Sequence, residues 1–296
     1  MRKFQFLSSF ILKIAAILFM TLDHVGLMLH IALPYKQDVV MVANTMRSFG
    51  RLALPLFVFM IVEGVIHTKN IKKYFLRLGI LAFFISLFLA IITYVDFGVS
   101  TAGLANEGNI FLDLLLIAFT VYLLKQDNKW LKLLTLLPIA ISFASFFSKC
   151  YEFASGNDVL WYPNWLYLQY DWFSVVLGVL FYLSYKLFDL YKGYVQTKDG
   201  IDPAVWEANG NYRLGVSLIQ VFMLALVSVA YYCFKYIWPS AVFWDANTQL
   251  LAIISGAFVL LYNGTRGYNA KWFQYGAYLY YPLHLVVIML IYILCF

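Results

Sequence analysis

The sequence predicts an all-α fold: a polytopic transmembrane helix bundle of about nine spans with its N-terminus in the cytoplasm. Three observations predict it. The 296 residues are 63% apolar, 20% aromatic and only 12% charged, against about 45–50% apolar and 25% charged for a soluble domain. So few charged side chains cannot cover a soluble surface of this size. Apolar runs of bilayer length recur along the whole chain, and the basic residues between them are distributed very unevenly. A soluble enzyme, a secreted disulfide scaffold and a disordered chain are excluded. Cys150, Cys233 and Cys295 are odd in number and far apart, which is neither a disulfide framework nor a zinc spacing. No metal is expected.

The first apolar run, 10–33, follows Met1-Arg2-Lys3 without a small-residue cleavage motif, so it reads as a retained span. The others are 49–68, 74–95, 109–124, 131–148, 171–189, 214–238, 248–262 and 274–296. With the N-terminus inside, the cytoplasmic segments collect Arg2 and Lys3; Lys69, Lys72, Lys73 and Arg77; Lys125, Lys129 and Lys132; Lys186, Lys192, Lys198 and Arg213; and Arg266 and Lys271. These are fifteen of the 21 Lys and Arg, whereas only Lys36 and Lys149 stand clear of the spans outside. That split follows the positive-inside rule. It also accounts for the net charge of +6 by the lipid bilayer rather than by nucleic acid, which is not expected as a partner. The chain, 1–296, is expected to form a single integral membrane domain in the cell (cytoplasmic) membrane. The aromatic-rich segment 149–171 is external, lying along the membrane surface or capping a cavity. The segment 190–213, with Gly193, Gly200, Pro203 and Gly210, is a cytoplasmic loop.

Charged groups inside spans cost several kcal/mol unless paired or facing a polar cavity, and so mark functional sites. They are Lys13, Asp23, His24, Arg51, Glu63, His67, Asp113 and His284, with His30 and Arg47 near the outer boundary. Six of the first eight fall in the first two spans. Asp23 and His24 point about 100° apart on a helix, yet both can line one cavity. A carboxylate near an imidazole orients it for general-base work. A buried ion pair between Asp23 and another helix, with Arg51 as partner, is the alternative. In the second span Arg47, Arg51, Pro55, Phe59, Glu63 and His67 recur every fourth residue. Glu63 and His67 can pair at i,i+4, either as an acid/base pair or as an ion pair at the cytoplasmic end. Arg47 and Arg51 form a two-cation patch, with Arg47 able to snorkel to lipid phosphate. Pro55 frees the carbonyl of Arg51 and predicts a kink. His284 stands alone among aromatics. Asp113, one turn past Asn109, is a partner for Lys13 or for a histidine.

Several strings together resemble the TraX family, membrane proteins associated with N-terminal acetylation of conjugative pilin. They are Leu12-Lys13-Ile14-Ala15 running into Leu22-Asp23-His24-Val25-Gly26, then Arg47-Ser48-Phe49-Gly50-Arg51-Leu52-Ala53-Leu54-Pro55-Leu56-Phe57. Glu63-Gly64, His67-Thr68-Lys69-Asn70, Lys73-Tyr74, Arg77-Leu78 and Asn109-Ile110-Phe111 follow. Tyr262-Asn263-Gly264, Arg266-Gly267 and Tyr281-Pro282-Leu283-His284-Leu285 close the set. The resemblance is looser across 125–255. It implies an acetyl-CoA-dependent acyltransferase, similar in plan to polytopic acyltransferases that carry a key His in the first span and move acyl groups onto sugars or cell-wall polymers.

On that footing His24 is the leading candidate for the base, poised by Asp23. Arg51 stabilises the oxyanion or anchors an anionic group, with Asn109 or His284 as an added donor. Glu63 and His67 are the alternative acid/base pair. Lys72, Lys73 and Arg77 meet the phosphates of acetyl-CoA, while Arg47, Asn109 and Asp113 lie on the substrate side. The family pattern implies a small polar residue where this chain has Asp113. The acceptor is an amine or hydroxyl of a protein or envelope polymer. Two other classes stay open. A proton-coupled transporter or flippase also uses intramembrane ionisable groups, although no internal repeat is visible. A non-catalytic assembly factor of a conjugation or secretion system would bind no acetyl-CoA.

Overall fold

A computed structural model of the chain describes residues 4–96, 108–157, 159, 161–200, 202, 204–205, 211–237 and 246–295. Arg2, Lys3, Pro203, Gly210 and the last residues of the spans drawn to 238 and 296 lie outside the described residues.

The chain is built from helices: α1 (Ser9–Ala32), α2 (Gln37–Gly50), α3 (Ala53–His67), α4 (Ile71–Tyr94), α5 (Ile110–Leu124), the short α6 (Lys129–Leu133), α7 (Leu136–Ser155), α8 (Asp171–Asp199) and α9 (Asn211–Ile237). Near the C-terminus come α10 (Ala246–Leu250), a 3-10 stretch at Leu251–Ser255, α11 (Gly256–Leu261) and α12 (Lys271–Cys295). Among the described residues seven helical passages are long and apolar enough to cross a membrane, and Ile110–Leu124 and Asn247–Leu261 are shorter apolar helices. The chain is a multi-pass membrane protein. Its surface agrees: Leu76, Phe83 and Leu87 on α4 and Leu279, Leu283 and Leu290 on α12 are exposed, as lipid-facing side chains are. The core between helices holds Leu54, Leu56, Phe59, Ile117, Phe173 and Phe181.

The second span departs from its predicted form. It begins at Gln37 rather than 49, and it is broken at Arg51–Leu52 instead of running as one helix. Pro55 offers no N–H to the Arg51 carbonyl, and Gly50 lies so close to Asp23 that a Cβ there would collide with its side chain. The row from Arg47 to His67 is therefore divided between two helices. The segment 190–213 is also not a loop throughout. α8 continues to Asp199, because polar residues beyond the membrane do not by themselves stop a helix, and Gly200 ends it at φ 64°.

Long-range contacts gather several basic segments at one end of the bundle. Lys125 Nζ donates to the carbonyls of Val65 at 3.0 Å and Ile66 at 3.1 Å. Arg213 reaches Glu63, and Leu7 N donates to the Leu261 carbonyl at 2.9 Å. We refer to this as the basic end.

Candidate functional site

Asp23 and His24 are buried neighbours on α1 that face different partners. Asp23 turns to the α2–α3 break, where it accepts from Arg51 Nη2 at 3.2 Å, with both side chains at most 7% exposed. The alternative reading of Asp23, a buried ion pair with Arg51, is what the structure shows. His24 turns to α12, and its Nδ1 lies 2.8 Å from His284 Nε2, the rings 5.0 Å apart at 27°. His284 is thus brought across 260 residues of sequence to His24.

The order of protons follows from the next contact. His284 Nδ1 lies 3.0 Å from the carbonyl oxygen of Tyr280. A carbonyl only accepts, so Nδ1 carries the hydrogen and Nε2 of the neutral ring carries the lone pair. His24 Nδ1–H therefore donates to His284, and the lone pair of neutral His24 lies on its Nε2. Tyr280 stacks on His284 at 5.1 Å and 7°, while its hydroxyl shares a 2.8 Å hydrogen bond with Thr21. Tyr281 meets both imidazoles edge-on. The result is a base oriented by a second imidazole, itself oriented by a main-chain carbonyl.

Glu63 and His67 form a separate cluster. Twelve residues along the chain from Arg51 amount to roughly 18 Å of helix. Glu63 accepts from Arg213 Nη1 at 3.0 Å and from the Tyr185 hydroxyl, whereas His67 Nε2 is 3.7 Å away and its side chain is 64% exposed. The Arg213 guanidinium lies over the rings of Tyr262 at 4.5 Å and Phe59 at 5.3 Å. From sequence, Arg213 is simply one more loop cation.

A cavity of about 590 Å³ runs inward from this end, within the range of small-molecule sites. Its lining includes Lys13, His67, Arg266 and the carboxylate of Glu63, together with the apolar Met20, Phe57 and Ile110 and the ring of Tyr281. Lys13 is placed over Phe273 at 5.9 Å, and no carboxylate pairs with it or with Arg266 among the described residues. Beyond Tyr281, His24 borders two small cavities of about 40 and 20 Å³. Met20, Phe57, Ile110 and Tyr281 line the smaller of these and the large cavity alike.

The remaining expected site residues are placed elsewhere. Lys72 and Lys73 are exposed on α4, and Arg77 is exposed over Tyr275; none lines the large cavity. Arg47 is half-buried in the last turn of α2. Asn109 is fully buried and caps α5, accepting from Phe111 N and donating to the Ala82 carbonyl and Ser86 Oγ. Asp113, equally buried, accepts from Gln169 N at 2.6 Å, Tyr170 N at 3.2 Å and Ser174 Oγ at 2.6 Å. The Asn109 side chain thereby fastens the start of α5 to α4, and Asp113 fastens it to Gln169, Tyr170 and Ser174, rather than either pairing with Lys13 or a histidine. Among the described residues no group of three His, Cys, Asp or Glu could hold a metal ion.

The segment 149–171 does not lie flat throughout, and its end, at Gln169 and Tyr170, lines the small cavities beside His24. α7 occupies it to Ser155, and Tyr167 to Tyr170 are buried in the bundle. Gly108, at φ 84°, permits this: a Cβ there would sit 2.6 Å from the Leu168 carbonyl oxygen. Gly108→Ala is expected to cost about 1–3 kcal/mol, read as an earlier thermal transition in detergent.

Comparison with known proteins places these features. The family model described as TraX protein matches residues 8–195, which contain Asp23, His24, Arg51, Glu63, His67 and Tyr185 of the two clusters but not Arg213, Tyr262, Tyr280, Tyr281 or His284. The probable fimbrial assembly protein FimC, serogroup H1, of Dichelobacter nodosus is 42% identical over 77 residues, covering 26% of this chain and 28% of that protein. The match therefore spans well under a third of the relative's length. No solved structure matches the chain. With more than half of its length matched by the family model, the chain belongs to the TraX family.

Proposed function

We propose that this protein is a membrane-embedded acetyltransferase that moves the acetyl group of acetyl-CoA to an amine or hydroxyl of a protein or envelope acceptor. The observation that carries the reading is the Tyr280–His284–His24 relay, which leaves a buried imidazole with a defined lone pair. In the reaction His24 Nε2 takes the proton of the acceptor as its nitrogen or oxygen attacks the thioester carbonyl. The carbon–sulfur bond then breaks, and the proton passes to the departing CoA sulfur. His284 acts as a positioning residue that stabilises the imidazolium of His24. The cavity at the basic end supports a donor with an anionic head and a slender apolar arm, since Lys13 and Arg266 line it together with apolar side chains. These two cations, rather than Lys72, Lys73 and Arg77, are the proposed phosphate ligands. With the basic end in the cytoplasm of a cytoplasmic-membrane protein, that cavity opens where acetyl-CoA is found.

Purified protein in liposomes, given labelled acetyl-CoA and peptides bearing a free N-terminal amine, is expected to release CoA thiol and label the peptide. Lys13→Ala and Arg266→Ala should each raise the KM for acetyl-CoA about tenfold with little change in kcat, as loss of a charge-assisted contact does. The fimbrial assembly relative favours a pilin-like acceptor, and also a second reading as a non-catalytic assembly factor. That reading requires that acetyl-CoA neither bind nor react.

A further inference from the structure

The buried segment before α8 ends in a side chain that no role yet described explains. Gln169 is 5% exposed and lines both small cavities that His24 borders. Its carboxamide makes no hydrogen bond among the described residues, its backbone N–H to Asp113 apart. An amide inside a bundle without a protein partner is unfavourable unless something else satisfies it, and this one opens on the small cavities that His24 borders.

The rest of the segment is fixed as firmly as the carboxamide is left open. Asn109 N donates to the Tyr167 carbonyl at 2.8 Å, and Leu168 N donates to Ser145 Oγ at 3.0 Å. Lys149 donates to the Leu168 carbonyl and, at 2.9 Å, to Asp171, which also accepts from Ser145 at 2.6 Å. Asp171 itself holds φ at 50°, in the left-handed region that a non-glycine residue adopts at some cost. Two buried carboxylates and a lysine thus hold four residues of irregular backbone, of which Gln169 and Tyr170 share a cavity lining with His24. A surface connection would need none of this.

We propose that Gln169 is a further catalytic residue, whose side-chain NH2 donates to the oxyanion that forms when the acceptor attacks the thioester. This rests on the acyl-transfer reading above. Among other nearby donors, Arg51 Nη2 is held by Asp23 and the two amide hydrogens of Asn109 by α4, and Arg51 is not among the residues lining the small cavities beside His24. Gln249 also has a carboxamide without a partner among the described residues, but it lies outside the linings of the cavities beside His24. In the addition step the carbonyl π electrons move onto oxygen, where the Gln169 N–H meets them, while His24 Nε2 takes the acceptor's proton. In the elimination step the carbonyl reforms, sulfur leaves with its bonding pair, and His24 returns the proton to it. Asn109, Asp113 and Asp171 are then positioning residues that hold the donor in place before reaction, as transition-state stabilisation requires.

Gln169→Met keeps the length of the side chain and removes the donor, so kcat should fall about 100- to 1,000-fold while the KM for acetyl-CoA stays within threefold. Gln169→Glu should be as slow at pH 8 and recover at least tenfold toward pH 5, where a protonated carboxyl can donate. The comparison is each variant's rate relative to wild type at the same pH. A structural role predicts neither the kcat–KM split nor that recovery. A wild type that releases CoA beside a Gln169→Met variant within threefold of it overturns the Gln169 role alone. If Gln169→Met fails to fold, the pH profile of Gln169→Glu decides, and a constant ratio to wild type overturns the role. Absence of acetyl-CoA turnover by the wild type with every acceptor overturns the acyl-transfer reading, and the Gln169 role with it.

Discussion

His24→Ala is expected to slow acetyl transfer about 100- to 10,000-fold, the usual contribution of a positioned general base, with the KM for acetyl-CoA nearly unchanged. The reason is spatial. Lys13 and Arg266 line the large cavity, whereas His24 borders a small one that shares Tyr281 with it. On the proposed reading, binding and proton transfer are therefore carried by different residues. His284→Ala should produce a smaller loss, because it removes the group that orients His24 and leaves the base itself. The double variant should be no slower than His24→Ala alone, since residues acting as one unit lose their effect together. The measurement is CoA thiol release in liposomes. Full transfer by His24→Ala would remove His24 from the mechanism, and additive losses in the double variant would break the relay.

Much of the fold was legible because length and hydropathy encode it directly. The expected spans 109–124 and 248–262 coincide within a residue or two with Ile110–Leu124 and Asn247–Leu261, short though both are. The division of the second span was less legible. Pro55 signals a disturbance, but the collision that Gly50 avoids depends on Asp23, a residue of another helix. Intramembrane charge singled out Asp23, His24, Arg51, Glu63 and His284, since each must find a partner in a medium without water. Which partner each finds is a property of helix packing, and Arg213, 150 residues from Glu63, carries no mark of its own in the sequence. Gln169 is invisible to such a search for a different reason. It is neutral, and it sits in an aromatic-rich connection where polar residues are ordinary.

Glu63→Ala is expected to destabilise the protein by about 3–5 kcal/mol, the cost of breaking a buried ion pair from one side. Arg213 is 16% exposed, and its Nε and Nη2 already lack hydrogen-bond partners among the described residues. Removing the carboxylate leaves its guanidinium with the Tyr185 hydroxyl and the faces of Tyr262 and Phe59. A cation–π contact is worth about 0.5–2 kcal/mol, too little to replace the lost charge. Met at position 213 would pack on the same rings without a charge, so the double variant Glu63→Ala/Arg213→Met should regain most of the lost stability. The same series separates two roles for Glu63. Glu63→Gln keeps an acceptor for Arg213 and removes the titrating proton. If Glu63 served as acid or base, that variant would be stable and inactive. The separation of roughly 18 Å from Arg51 along the chain predicts instead that activity follows stability, with Glu63→Gln retaining most of both. Thermal unfolding in detergent and CoA release on the same preparations distinguish the two, and a stable, inactive Glu63→Gln would return Glu63 to the chemistry.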